Sequence, residues 1–124
     1  GMWKDIGRPS DLIEANIEMA SKKGKYPQMD GIDPPVHIGL GTEVEAGSII
    51  RRSVLGESIH VRKGAEIIDS LLMDRCEIGS ESQITKSALG MGCVIGKGSR
   101  LVECVLDDGT EISPGTTLIG EQLD

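Results

Sequence analysis

Residues 84 to 101 read Ile84-Thr85-Lys86-Ser87-Ala88-Leu89-Gly90-Met91-Gly92-Cys93-Val94-Ile95-Gly96-Lys97-Gly98-Ser99-Arg100-Leu101, and this stretch decides the fold. One aliphatic residue recurs in it at steps of five, six and six: Ile84, Leu89, Ile95, Leu101. Before it, the same steps pass through Ile38, Val44, Ile50, Leu55, Val61, Ile67, Leu72 and Ile78. After it they pass through Leu106, Ile112 and Leu118. All fifteen positions are Ile, Leu or Val, types that supply 32 of 124 residues, so a chance match is on the order of 10⁻⁹. The full period is seventeen residues.

Two further columns keep this register. Three residues after most of the aliphatics comes Gly, at Gly41, Gly47, Gly64, Gly92, Gly98, Gly109 and Gly115, where a strand must turn sharply and positive φ is cheapest for glycine. One residue later sits a small side chain, among them Thr42, Ser48, Ala65, Cys76, Ser82, Cys93 and Ser99. The third step is one residue shorter and reads Arg52-Ser53-Val54, Asp69-Ser70-Leu71, Lys86-Ser87-Ala88 and Glu103-Cys104-Val105. Ser58, Arg75 and Glu81 stand in the glycine column; each costs about 1 kcal/mol if φ stays positive, and otherwise the backbone relaxes there. Three short strands per turn, each sending one aliphatic side chain inward, build a narrow prism whose turns stack at roughly 4.8 Å, so five turns span roughly 24 Å.

Composition agrees with a thin aliphatic core. Phe is absent, Trp3 and Tyr26 are the only aromatics, and 17 residues are Gly. The net charge of −7 repels nucleic acid and anionic lipid, and no basic tract offsets it. Arg51 and Arg52 read as a solvated corner. No segment has the long apolar run needed to cross a bilayer and no secretory signal is present, so a cytoplasmic location is expected. Cys76, Cys93 and Cys104 lack paired metal-ligand spacing and read as reduced core thiols, with Cys76 and Cys93 one period apart. Gly1 precedes Met2, which fits a tag scar or a cut inside a longer protein.

Ahead of the repeat, residues 9 to 23 read as a helix. Pro9 or Ser10 opens it, Asp11 and Glu14 lie in its first turns, Lys22 and Lys23 in its last, and Gly24 follows. Its apolar face is Leu12, Ile13, Ile17 and Ala20. Residues 25–35, with Pro27, Gly31, Pro34 and Pro35, read as a linker, residues 36–119 as coils and residues 120–124 as a tail.

The glycine, small and aliphatic columns over about residues 36–119 resemble the hexapeptide-repeat family. That resemblance implies an all-β, left-handed parallel β-helix of about five coils of seventeen residues, here preceded by one α-helix. The run Trp3-Lys4-Asp5-Ile6-Gly7-Arg8-Pro9, followed by Leu12 and Glu14-Ala15-Asn16, resembles the W-x-D-I-G-x-P segment that closes the catalytic domain of sugar-phosphate nucleotidyltransferases. That family includes mannose-1-phosphate guanylyltransferases and glucose-1-phosphate adenylyltransferases, several of which carry a hexapeptide domain next. Residues 1–24 would then be the end of the catalytic domain and its linker helix. The resemblance implies that Asp5 is one of two carboxylates holding Mg²⁺ against the nucleotide phosphates, a hard cation suited to that chemistry. The second carboxylate, the Gly-rich loop and the family's basic residues belong upstream, so no catalytic residue or cofactor is expected for the chain alone. A solvated Asp5 ahead of a helix is the competing reading. Arg8 stands where the motif commonly has Thr, which weakens a helix cap and leaves the subtype open.

Three functions remain in view. An assembly and regulatory module of such a nucleotidyltransferase is preferred; its partners would be the preceding catalytic domain, further copies of itself and, in the parent, NTP and sugar 1-phosphate. A hexapeptide acyltransferase needs a catalytic His near a loop protruding from the prism, whereas the spacing here is uninterrupted and His37 and His60 read as surface residues. A stand-alone binding scaffold is the third. A zinc site built from three His is excluded by the count of two. Trp3, Ile6 and the apolar helix face need cover, so the chain is expected to self-associate or to fold the helix back onto the prism.

Overall fold

The computed structural model describes residues 9–22 and 31–124. After α1 (Pro9–Lys22) and a leading strand β1 (Ile32–Ile38), five coils follow. The first holds β2 (Glu43–Val44) and β3 (Ile49–Leu55), the second β4 (His60–Val61), β5 (Glu66–Ile68) and β6 (Leu71–Leu72). The third holds β7 (Glu77–Ile78), β8 (Gln83–Thr85) and β9 (Ala88–Leu89), and the fourth β10 (Val94–Ile95), β11 (Arg100–Val102) and β12 (Val105–Leu106). The fifth holds β13 (Glu111–Ile112), β14 (Thr117–Ile119) and β15 (Gln122–Leu123).

All pairings are parallel, and from Val36 onward every step from coil to coil is seventeen residues. On the first face Val44, Val61, Ile78, Ile95 and Ile112 pair in sequence. On the second Ile50, Ile67, Ile84, Leu101 and Leu118 do so. The third runs from Ile38 through Leu55, Leu72, Leu89 and Leu106 to Leu123. These columns form one core cluster, and its middle members, Val61, Ile67, Leu72, Ile78, Ile84 and Leu89, are fully buried. Each coil contributes three aliphatic side chains that touch their counterparts above and below, so burial is earned by stacking rather than within a coil.

The corners explain the small column. Thr42, Cys76 and Cys93 donate to the carbonyls of Gly56, Gly90 and Asp107, each fourteen residues on. Ser48, Ser82 and Ser99 do the same to Arg62, Gly96 and Ser113. At the third corner the buried Ser53, Ser70 and Ser87 hydroxyls accept the N–H of Ser70, Ser87 and Cys104 at 3.0, 3.1 and 3.0 Å. Among the described residues no buried side-chain nitrogen or oxygen lacks a partner. The core therefore carries polar ladders at its edges without leaving groups unsatisfied.

Ser58, Arg75 and Glu81 keep positive φ, at 57, 64 and 61°. The repeat geometry overrides the preference of these residues, because relaxing one corner would break the stacking of its neighbours. The third corner imposes the same conformation on Arg52, Asp69, Lys86 and Glu103.

The coiled region exceeds the expected 36–119 at both ends. β1 starts at Ile32 despite Pro34 and Pro35, which is tolerated because β1 pairs only with β3 and its register slips between Asp33 and Val36. Residues 120–124 are not a simple tail, since Gln122–Leu123 pairs with Val105–Leu106 and Leu123 continues the third column. The helix α1 packs against the leading strand β1 and against β3. It lies on the third face, where Ile13 and Ile17 are buried against Leu71 and Ala88, with Leu12, Val54, Met73 and Val105 packed around them. The apolar face of α1 is folded back onto the prism, one of the two arrangements expected for it.

Candidate functional site

Asp5 and the rest of the W-x-D-I-G-x-P run up to Arg8 lie outside the described residues. Among the described residues no group of three or more His, Cys, Asp or Glu side chains is placed to hold a metal ion.

The three cysteines are buried and free. Cys76 and Cys93 stack at one corner, where the adjacent Cys93 sulfur and burial push the Cys76 thiol up and hold it protonated. Cys104 occupies the serine column and bonds the carbonyl of Leu118. Cysteine here substitutes for Ser or Thr as a small donor into a neighbouring coil.

Arg51 and Arg52 form a solvated corner, as read from the sequence. Arg51 pairs with Asp33 at 3.0 Å, and Arg52 pairs with Asp69 at 2.9 Å and reaches Glu14 of α1 at 3.6 Å. That last contact ties the helix to the prism.

The two histidines lie apart. His60, on the exposed first face, binds the Glu45 carboxylate through Nε2, and Arg62 pairs with Glu77 beside it. The hydrogen bond from His60 is the main cause holding the Glu45 carboxyl below its ordinary range. Glu45, fifteen residues before His60, was not singled out in the sequence because its position matters only once adjacent coils are stacked. His37, on β1, pairs with Val54 and lines a cleft.

That cleft, of about 550 Å³, runs between the end of α1 and the edges of the first coils. Asn16 and Met19 bound it on the helix side, and His37, Leu40, Glu57 and Asp74 on the coil side. The Asp74 carboxylate accepts the N–H of Glu57 at 2.9 Å, which fixes it at the rim. A second cleft, of about 400 Å³, lies at the start of α1, where Lys86 sits among Glu14, Asp69, Glu103 and Glu121. Among the described residues that line them, neither cleft pairs a nucleophile with a base.

No helix among the described residues is long and apolar enough to cross a membrane. Comparison with solved structures places the fold. The chain superposes on a histidine-to-asparagine variant of perosamine N-acetyltransferase from Caulobacter crescentus, in complex with CoA and GDP-perosamine. The TM-score is 0.72 and the identity 18%, covering 99% of this chain and 67% of that one. The PerB protein of the same organism, also with CoA and GDP-perosamine, gives 0.70 at 18% identity, covering 99% and 68%. At that identity the likeness establishes the fold, a left-handed parallel β-helix, and nothing of the chemistry. In sequence, the chain is 34% identical over 64 residues to a protein assigned as a mannose-1-phosphate guanyltransferase in Sulfolobus acidocaldarius, covering 44% of this chain. It spans only 18% of the length of that curated relative. The GMPPB C-terminal domain family matches residues 32–123, from the start of β1 to the end of β15. The chain belongs to that family: it is a carboxyl-terminal left-handed β-helix domain of a sugar-phosphate nucleotidyltransferase-like protein.

Proposed function

We propose that this domain is the non-catalytic assembly and regulatory module of an enzyme that makes an NDP-sugar from an NTP and a sugar 1-phosphate. The observation that carries the reading is the family match over 32–123 on coils whose seventeen-residue spacing is never interrupted. With no loop protruding from the coils, nothing shapes an acyl-donor site of the kind a hexapeptide acyltransferase needs, and His60 is engaged by Glu45. Asp5 and Mg²⁺ belong, in this reading, to the catalytic domain that precedes α1. The edges support an assembly role: among the described residues β2, β13, β14 and β15 each pair with a single neighbour, which leaves strand edges on which a partner surface can seat.

Two assays test the proposal. The whole parent protein should release pyrophosphate from NTP, sugar 1-phosphate and Mg²⁺, whereas the 124-residue chain should release none. The same chain should release no free thiol from acetyl-CoA in the presence of an amino-sugar nucleotide. Thiol release by the chain, lost on His37→Ala, would make it an acyltransferase and overturn the reading.

A further inference from the structure

We propose that the cleft between α1 and the first coils is a docking groove for a cationic amphipathic helical segment of a partner protein. Met19 and Leu40, two of the few large apolar side chains exposed among the described residues, stand on opposite sides of it, with 61% and 81% of their surface open. Ile38 and Val54 form apolar floor between them. An open trough with an apolar floor and two flanking anchors accepts the apolar face of a helix, read as residues spaced three and four apart.

Charge selects the occupant. Glu57 and Asp74 line the groove, and among the described residues no Lys or Arg does. Among the described residues neither makes an ion pair, whereas Asp33, Asp69, Glu45 and Glu77 are each paired. A sugar phosphate or nucleotide would enter against two carboxylates that no described cation faces. A second copy of this chain, placed across a two-fold axis, would bring the same carboxylates face to face. Lys or Arg residues flanking an apolar stripe meet the rim with opposite charge.

The experiment uses the 124-residue chain, labelled with ¹⁵N, and two synthetic helical peptides of one pattern, built from Leu and Lys or from Leu and Glu. The Leu/Lys peptide is expected to bind and to shift amide resonances of the groove-lining residues. Leu40→Asp and Glu57→Lys, both at exposed positions, should each weaken binding about tenfold. Val94→Asp, at an exposed apolar position on the first face, should not change it. Failure to bind, equal binding of the Leu/Glu peptide, equal weakening by Val94→Asp, or shifts centred elsewhere would overturn the proposal. So would loss of self-association on Leu40→Asp, which would give the groove to a second copy.

Discussion

The prism interior and the wall beneath α1 are both apolar and both follow the seventeen-residue step, yet they are buried by different means. Inside, Val61, Ile78 and Ile95 are covered by one another. On the wall, outward-facing Val54, Leu71, Ala88 and Val105 form a column through four consecutive coils, and a helix from outside the repeat covers it. The matching outward column of the first face is Glu43, His60, Glu77, Val94 and Glu111, which water covers instead. A repeat protein thus writes its core and its docking faces in the same period. The two differ in whether the covering group is the next coil or something else.

The largest expected effect lies in the interior. Ile78→Asp places a carboxylate in the fully buried middle coil, where no cation or donor is available, and should cost more than about 4 kcal/mol. Circular dichroism should show no cooperative melt; a normal melt would mean that the register is wrong. On the wall, Ile17→Ala should cost about 2 to 3 kcal/mol locally, because it empties a site between α1, Leu71 and Ala88. Hydrogen exchange should show α1 amides losing protection while those of β7 and β10 keep theirs. Loss of protection in both would erase the distinction between wall and interior.

Corner strain is a smaller effect. Glu81→Gly relieves a side chain held at φ 61° and should raise stability by about 0.5 to 1 kcal/mol, visible as a higher melting midpoint. The smallest effect is electrostatic. The folded-state Glu45 carboxyl titrates below its ordinary range, so its contribution is present above that range and is lost as pH falls through the folded value. Glu45→Gln should therefore lower the melting midpoint slightly at neutral pH and converge with the unaltered chain in acid. A difference that persists or grows in acid would contradict the His60–Glu45 contact.

The interior was legible because its rule is local: Leu, Ile or Val at steps of six, six and five fixes strands, corners and stacking together. The helix was legible from Pro9, Asp11 and its apolar spacing. Its seat was not, since that depends on Ile13 and Ile17 meeting side chains more than fifty residues away, at Leu71 and Ala88. The coil ends were drawn too short because Pro34 and Pro35 read as breakers, although a terminal strand tolerates them, and because Leu123 was not counted as the next step after Leu106. The cysteines were read as packing, and the structure adds the reason, a sulfur standing in for a hydroxyl. The His60–Glu45 pair and the groove at Leu40 depend on polar and apolar side chains outside the aliphatic, glycine and small columns meeting across stacked coils, which is why spacing alone does not mark them.

Assembly is the central claim, and the mass of the chain in solution tests it most directly. If the proposed assembly role holds, light scattering on the 124-residue chain at tens of micromolar should give a whole-number multiple, two or more, of the 13.2 kDa protomer. A mass of 13.2 kDa that holds across that range would contradict it.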